Sequence, residues 1–374
     1  MQIGVLKETK VHEYRVALTP LGVGELIKSG HRVLIQKGAG SEAGFADDLY
    51  RDSGGKIVDT ADEIFEKADL IVKVKEPQAE ERTRFRRGQV LFCYLHLAAE
   101  PILIQALLEC GVTAFAFETV TDDEDGLPLL APMSRIAGRL AVQAGAHFLE
   151  KPAGGRGVLL GGIAGVPAAN VVILGSGVAG SSAVDAAVGL QARVTAVDRN
   201  PKRLDALANR FGNRVQTRYS TAPTIERLVA EADLVIGSVL IPGAESPKVL
   251  TKEMVSRMHT GAVLVDLSID QGGCFETSRP TTHADPTYTV DGVIHYCVAN
   301  VPGAVPGTST IALENAILPY VKTLAEGWRE AVRSNRHLAN GLNIDAGAVL
   351  HPVVAEATRR QLQTFSEIRS GGPA

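Results

Sequence analysis

The sequence contains few of the residues that build metal clusters or nucleic-acid surfaces. Its four cysteines are widely spaced and none belongs to a CxxC pair, which argues against a metal site. The formal charge of −4 and the lack of a basic stripe argue against a nucleic-acid partner. The first ten residues include no apolar signal segment, so we expect a protein of the reducing cytoplasm.

Charged residues are missing from one long stretch, residues 157–184, which could be mistaken for a membrane span. Several glycines, a proline, an asparagine and three serines interrupt it, and it divides into a strand, a turn and a helix. We therefore expect no membrane segment. The chain has 374 residues, of which 45% are hydrophobic, and this is enough for two domains with a substantial core.

The most informative stretch runs from residue 170 to residue 198. An apolar strand leads into a glycine turn, a helix and a second strand that ends on Asp198. In the turn, Gly175 permits a tight bend, Gly177 lets the backbone approach a pyrophosphate, and Gly180 lets the helix pack closely on the strand. The start of the helix presents free N–H groups to phosphate oxygens. This context predicts a dinucleotide-binding site, with a purely structural turn as the alternative.

The acid that ends the second strand predicts which dinucleotide binds. The Asp198 carboxylate can accept hydrogen bonds from both ribose hydroxyls, and it would repel the 2′-phosphate of NADP. A charge-assisted hydrogen bond of this kind contributes about 1.5–3 kcal/mol. Arg199 and Arg203 lie close by and weaken the inference slightly. We therefore predict NAD as the cofactor.

Strands alternate with helices through most of the chain, which predicts an α/β fold. The segment ADLIVKVKEP at residues 68–77 is echoed by ADLVIGSVL at residues 232–240, and both follow an acidic helix. We expect two doubly wound, Rossmann-like domains with mainly parallel sheets, joined by helices, with a cleft between them. Residues 1–128 and 306–374 would form a discontinuous substrate domain, and residues 129–305 the NAD-binding domain.

Local signals predict where several helices begin and bend. Thr19 before Pro20 marks a helix start, and Thr60 fits the start of another. Ser134 is predicted to cap a helix after Pro132. A further helix is predicted over residues 310–324, with a kink at its single proline.

Polar side chains follow predicted strands in both halves. Lys75, His96, Ser238 and Asp270 fall at predicted carboxyl ends of strands, where ligands bind in open parallel sheets. If the two sheets face each other across a cleft, these groups converge there. Each candidate also has an ordinary use: Lys75 as a solvated strand end, His96 as a core histidine and Asp270 as a turn cap. Arg15, a further candidate, could be a surface arginine.

Seven long segments carry a specific resemblance. From residue 1 to about residue 345 the chain resembles the bacterial L-alanine dehydrogenase family, which is related to transhydrogenase α-subunits. The segments are GVLKETKVHEYRVALTP, LIVKVKEP, FCYLHLA, LPLLAPMSRIAGRLAVQAGA, GGRGVLLGGIAGV, LVDLSIDQGGCFETSRPTTH and YCVANVPGAVPGTST.

The resemblance implies reversible, NAD-dependent oxidative deamination of L-alanine to pyruvate and ammonium, and also a homohexamer. By position, Arg15 and Lys75 match residues that hold substrate. His96 matches the catalytic acid/base, and Asp270 matches the second catalytic residue. The implied cofactor contacts are Ser134, Val178, Ala179, Asp198, Arg203, Ser220, Val239, Leu240, Leu267, Ser268, Ile269, Asp270, Arg279, Val298, Ala299, Asn300 and Val301, beside the glycines of the turn.

These residue types suit the chemistry. A guanidinium can hold a carboxylate through two hydrogen bonds, and an imidazole exchanges protons near neutral pH. Three other functions stay open from the residues: an NAD(H)-binding subunit of a proton-translocating transhydrogenase, another amino-acid enzyme such as a lysine-pathway dehydrogenase or a cyclodeaminase, and a non-catalytic NAD-binding regulator. Alanine-dependent formation of NADH would distinguish an alanine dehydrogenase from a transhydrogenase subunit and from a non-catalytic regulator.

Overall fold

A computed structural model describes residues 1–124, 126–239 and 246–365. The chain forms two compact units, one built from Met1–Pro132 together with the chain from Val305 on, and the other from Met133–Ala304. Each unit carries its own mainly parallel sheet between helices, so the predicted fold class of two α/β domains is confirmed. The boundaries predicted from the sequence for the second domain lie close to these, at residues 129 and 305. No described helix is both long and apolar enough to cross a membrane.

The strands are short and mostly apolar, as expected of parallel sheets that are covered on both faces. In chain order they are β1 (Gln2–Val5), β2 (Arg32–Gln36), β3 (Lys56–Val58), β4 (Leu70–Val72), β5 (Val90–Cys93), β6 (Thr113–Ala116), β7 (Asn170–Leu174), β8 (Arg193–Asp198), β9 (Val215–Tyr219), β10 (Leu234–Gly237), β11 (Val263–Asp266), β12 (Thr287–Val290), β13 (Val293–Tyr296), β14 (Leu342–Asp345) and β15 (Ala348–Val349).

The helices alternate with these strands. They are α1 (Pro20–Lys28), α2 (Asp47–Asp52), α3 (Ala61–Lys67), α4 (Pro101–Cys110), α5 (Ala131–Phe148), α6 (Val178–Gly189), α7 (Pro201–Phe211), α8 (Ala222–Ala230), α9 (Lys252–Ser256), α10 (Pro306–Ser334), α11 (Arg336–Gly341) and α12 (Pro352–Thr358).

In the discontinuous unit the strand order is β15-β14-β6-β5-β4-β1-β2-β3. The six strands from the N-terminal part pair in parallel, and β14 and β15 extend the sheet as antiparallel strands. Strands β1, β4 and β5 are fully apolar in their last three residues and are buried there. Because they are parallel neighbours, the loops that follow them leave from the same edge of the sheet.

In the second unit the strand order is β12-β13-β11-β10-β7-β8-β9, and only the β12–β13 pair is antiparallel. Beginning from β7, the chain moves through β8 and β9 on one side and then through β10, β11 and β13 on the other. This is the 3-2-1-4-5-6 arrangement of dinucleotide-binding folds, whose strand order reverses beside β7. Ligands of such sheets bind at that reversal, beyond the carboxyl ends of the strands.

Two of the local predictions are confirmed and two are wrong. Thr19 caps α1, since its hydroxyl accepts the N–H of Leu21, and Thr60 caps α3 in the same way. Ser134 is not a cap, because α5 begins three residues earlier at Ala131. Helix α10 is much longer than predicted and continues through its proline, and its non-helical residue is Gly327.

Candidate active site

Three predicted functional side chains of the discontinuous unit follow adjacent strands. Arg15 lies in the loop after β1, Lys75 follows β4, and His96 follows β5. Since these strands are parallel neighbours about 4.8 Å apart, the three loops lie side by side at one edge of the sheet. The structure therefore places these three loops in one region of this unit; the sequence predicted strand-end positions for Lys75 and His96, but not for Arg15.

Arg15 is not a surface arginine, because only 2% of it is exposed. Its Nε donates to Oε1 of Glu13 at 2.7 Å, and its Nη2 donates to Oε2 at 2.5 Å. Burial opposes both charges, but this bidentate pair holds the pKa of Arg15 above its ordinary value and the pKa of Glu13 below. Arg15 is thus a buried cation whose Nε–Nη2 edge already holds a carboxylate.

Glu13 was missed by the sequence reasoning, although a signal for it exists. Glu13 and Arg15 are both buried while Tyr14 between them is exposed, so the two oppositely charged side chains share the inner side of this loop. The side chains between and before them, Tyr14 and His12, pair with each other at 2.8 Å on the outer side. The positive charge of Lys75 also lowers the pKa of Glu13, which places Lys75 near this pair.

Lys75 is buried rather than a solvated strand end. Its backbone N–H and that of Val74 donate to Oε1 of Glu8, at 3.4 and 2.6 Å. The other oxygen of Glu8 pairs with the fully buried Lys73 at 3.2 Å, and Lys73 pairs with Glu81 at 2.9 Å. Glu8, Lys73 and Glu81 form a buried cluster, called here the Lys73 cluster, that fixes the segment carrying Lys75.

The Lys73 cluster contains two carboxyl groups and one ammonium group. Burial raises the pKa of Glu8 to about 7, even though Lys73 acts in the opposite direction. The nearby carboxylates of Glu13 and Glu81 add to this rise. The sequence shows neither the cluster nor this shift, because its members come from two strand ends and a later turn.

His96 is exposed, so the core-histidine alternative is wrong. Its backbone adopts the left-handed conformation, with φ of 49° and ψ of 35°, just before a 3₁₀ turn at Leu97–Ala99. Its ring stacks on that of Tyr94, with centroids 6.0 Å apart and planes 11° apart. An exposed imidazole above the ends of parallel strands is well placed to exchange protons with a bound substrate.

In the second unit, the glycine turn is built as the sequence predicts. Gly175 has φ of 95°, and an added Cβ would lie 2.7 Å from the carbonyl oxygen of Ser238. An added Cβ at Gly180 would collide with the carbonyl oxygen of Gly175. At Gly177 the nearest atom is a guanidinium nitrogen of Arg203 at 3.8 Å, so space remains above that position. The turn thus offers open backbone at the position where a pyrophosphate would approach.

Asp198 closes this turn from the end of β8. Its Oδ2 accepts the N–H of Ser176 at 2.6 Å, and its Oδ1 accepts the N–H of Asn200 at 2.7 Å. Arg203 Nη1 lies 3.7 Å from Oδ2. The carboxylate therefore has a structural use beside the predicted ribose contact. The backbone N–H of Ser220 bonds the carbonyl oxygen of Asp198 at 3.0 Å, which brings that predicted contact to the same place.

Asp270 lies in a 3₁₀ turn, Ile269–Gln271, just after β11, and it is exposed. Asp266, rather than Asp270, caps this turn. Its carboxylate accepts the N–H groups of Ser268 and Cys274 at 2.9 and 2.8 Å. Within the described ranges, no hydrogen bond or ion pair of the Asp270 carboxylate is seen. A carboxylate of this kind is available to a ligand.

The remaining cofactor candidates mostly follow adjacent strands of the second sheet. Val239 follows β10, residues 267–270 follow β11, and residues 298–301 follow β13, so they lie at the same edge as the glycine turn. Ser134 lies in α5, which packs on the start of α6 at Gly138. Arg279 stacks over the ring of Tyr288 at 4.0 Å. Leu240 lies outside the described residues. No group of three metal-type ligands occurs in the described ranges.

Comparisons with known proteins agree with this arrangement. The model of "Alanine dehydrogenase/PNT, N-terminal domain" matches residues 4–137, and that of the corresponding C-terminal domain matches residues 141–352. An alanine dehydrogenase of Halomonas elongata is 55% identical and covers 96% of both chains. One of Mycobacterium tuberculosis is 52% identical over 95% of this chain and 96% of its own.

Solved structures lead to the same family. A structure of L-alanine dehydrogenase matches with a TM-score of 0.93 and 50% identity, over 96% of this chain and 99% of its own. A transhydrogenase from Sinorhizobium meliloti matches with a TM-score of 0.80 and 27% identity, over 94% of this chain and 99% of its own. The similarity to the first structure is higher in both measures.

Proposed function

Because this chain belongs to the alanine dehydrogenase/PNT family, we propose that it catalyses the reversible, NAD-dependent oxidative deamination of L-alanine to pyruvate and ammonium. The observation that carries the proposal is the set of Arg15, Lys75 and His96 in the loops that follow three adjacent strands of one unit. Two buried cations beside an exposed imidazole suit a small substrate with a carboxylate and a group that gains and loses protons.

Arg15 and Lys75 are assigned to the substrate. Glu13 binds the Nε and Nη2 groups of Arg15, and the positive charge of the buried guanidinium suits the carboxylate of the substrate. Glu13 keeps the planar group in one orientation and keeps it charged. Lys75, held by its backbone to Glu8, offers a positive charge to the oxygen that develops on the substrate carbon.

His96 is assigned as the acid/base, and Asp270 as the second catalytic residue. Loss of the amino group requires proton transfers at nitrogen and at the attacking water, and an exposed imidazole can make them. The exposed Asp270 carboxylate would orient that water or stabilise positive charge on nitrogen. The discontinuous unit is proposed as the substrate domain, and the other as the cofactor domain.

The second unit fits NAD. Open backbone at Gly177 and the helix start at Val178 suit a pyrophosphate, and Asp198 suits an unphosphorylated ribose. When bound, NAD supplies the acceptor for the hydride of the substrate carbon. The remaining contacts implied by the resemblance, the cleft between the units, the homohexamer and the cytoplasmic location stay predictions.

The function is tested by the formation of NADH. We expect L-alanine to support the highest kcat/KM among L-alanine, glycine, L-serine and L-lysine, and pyruvate with ammonium to consume NADH. Measuring absorbance with and without ammonium checks both directions. Hydride exchange between two nucleotide pairs without any response to amino acids would instead indicate a transhydrogenase subunit, and the proposal would be wrong.

Asp198 should determine the choice between NAD and NADP. Replacing it with asparagine keeps one acceptor oxygen for the turn but removes the charge that repels a 2′-phosphate. We expect the ratio of kcat/KM values for NAD over NADP to fall about tenfold to a hundredfold, the equivalent of one charge-assisted hydrogen bond. Asp205→Asn, on the exposed side of α7, is the matched control. An unchanged ratio in Asp198→Asn would remove this residue from the ribose role.

A further inference from the structure

The backbone at His96 has a conformation that residues with side chains rarely adopt. Its φ of 49° lies in the left-handed region, where Cβ crowds the following carbonyl oxygen. Such a conformation persists only where surrounding contacts enforce it. Whatever enforces it here also determines the direction of the imidazole, because the side chain leaves from this turn.

Glu118 makes those contacts from the 3₁₀ turn that follows the neighbouring strand, β6. Strands β5 and β6 are parallel with Cys93 opposite Ala116, so Leu95 and Glu118 lie side by side just beyond the paired ends. Oε1 of Glu118 accepts the N–H of His96 at 2.6 Å. Both carboxylate oxygens approach the N–H of Leu95, at 3.1 and 3.2 Å. Among the described residues no cation pairs with Glu118, so these two N–H groups are its partners.

Tyr94 supports the imidazole from within the same turn. Its hydroxyl donates to the carbonyl oxygen of Leu129 at 2.6 Å, and its ring packs edge-on against Phe117. The parallel stacking of the His96 ring on Tyr94 therefore depends on a fixed platform and on the bend at His96. The platform is held by packing and the bend is held by Glu118.

We propose that Glu118 is a positioning residue that fixes the left-handed bend at His96 and so sets the direction of the catalytic imidazole. This inference rests on the proposed function. Glu118 acts through the backbone of His96, and its length and acceptor geometry matter more than its charge. It differs in this from Glu13, which holds a buried cation.

Three variants of Glu118 separate the effect of its side-chain length from the effect of its charge. Glu118→Gln keeps the length and one oxygen that can accept both N–H groups. Glu118→Asp keeps the charge but is one methylene shorter, and Glu118→Ala removes both. We expect kcat to fall about 30- to 100-fold in the Asp and Ala variants, since a misplacement of about 1 Å costs about that much, and to fall less than about fivefold in Gln. Glu124→Gln, an exposed carboxylate in the same connection, is the control.

Binding of NADH, measured by fluorescence titration, should stay within about twofold in all variants, because the dinucleotide turn is in the other unit. Crystal structures of the variants give a readout that does not depend on turnover. His96 should leave the left-handed region in the Asp and Ala variants and keep it in the Gln variant.

Two results would overturn the inference: a left-handed His96 in the Asp or Ala variant, or higher activity in Glu118→Asp than in Glu118→Gln. If Glu118→Ala does not fold, the Gln and Asp variants still decide. A parent protein that forms no NADH from alanine would refute the proposed function alone, and the crystal structures would still decide the role of Glu118.

Discussion

Replacing His96 with asparagine should lower kcat for alanine oxidation by about 10²- to 10⁴-fold, the usual contribution of a general acid/base. Asparagine is the informative choice because it tolerates the left-handed backbone observed at this position. The turn held by Glu118 would persist, and the substitution would remove only the imidazole. NADH titration should show an unchanged affinity, so the loss would appear in turnover.

The chain offers a matched control. His12 also has a left-handed backbone, with φ of 61°, and it lies in the same unit. It stands on the outer side of its loop, paired with Tyr14, whereas Glu13 and Arg15 point inward. His12→Asn should keep kcat within about threefold of the parent, as surface substitutions usually do. Equal losses in both variants would show that the effect is not specific to the imidazole of His96, and would contradict its role as the acid/base.

The parts of the fold that repeat a local pattern could be predicted from the sequence. Apolar runs that end on polar residues predicted β4, β5, β8 and β11, and the glycine spacing predicted the turn before α6. These predictions succeed because strands of a parallel sheet that is covered on both faces are mostly apolar, and because the turn admits only glycine where Gly175 and Gly180 stand. The strand ends then carry the polar groups to one edge.

The supporting carboxylates could not be predicted in this way. Glu8 and Glu118 accept backbone N–H groups from segments that become neighbours only when the sheet forms. Nothing in a single sequence distinguishes such a carboxylate from an exposed one. Glu13 is the exception, because its partner Arg15 is only two residues away.

In helix α10, the sequence predicted a kink at the wrong residue. The proline within it was expected to kink the helix, yet the non-helical residue is Gly327, with ψ of 85°. Glycine has the weakest preference for the helix among residues that can donate a hydrogen bond, and the chain bends there instead.

Replacing Lys73 with methionine should lower the free energy of unfolding of the discontinuous unit by about 3–5 kcal/mol, because it leaves buried carboxylates without their cation. Methionine fills a similar volume, so packing changes little. The destabilisation should be smaller at pH 5 than at pH 8, since a protonated Glu8 does not need a cation. The chain has a single tryptophan, Trp328, which is buried in this unit and reports its unfolding in urea.

Glu8→Gln should have the opposite pH dependence, and the sign follows from its pKa. The pKa of Glu8 is raised from 4.5 to about 7 in the folded chain, so the folded state binds this proton more tightly than the unfolded state. The stability from Glu8 is complete below pH 4.5 and is lost as the pH rises through 7, a change of roughly 3 kcal/mol. Glutamine stays neutral, keeps an acceptor for Val74, and avoids this loss.

The stability of Glu8→Gln relative to the parent should therefore increase between pH 5 and pH 8. Urea unfolding followed by the Trp328 fluorescence at four pH values measures this increase. Glu66→Gln removes an exposed carboxylate from α3 of the same unit and should show a constant difference from the parent. A constant difference for Glu8→Gln as well would mean that Glu8 stays ionised throughout, and that the Lys73 cluster accommodates its excess negative charge without binding a proton.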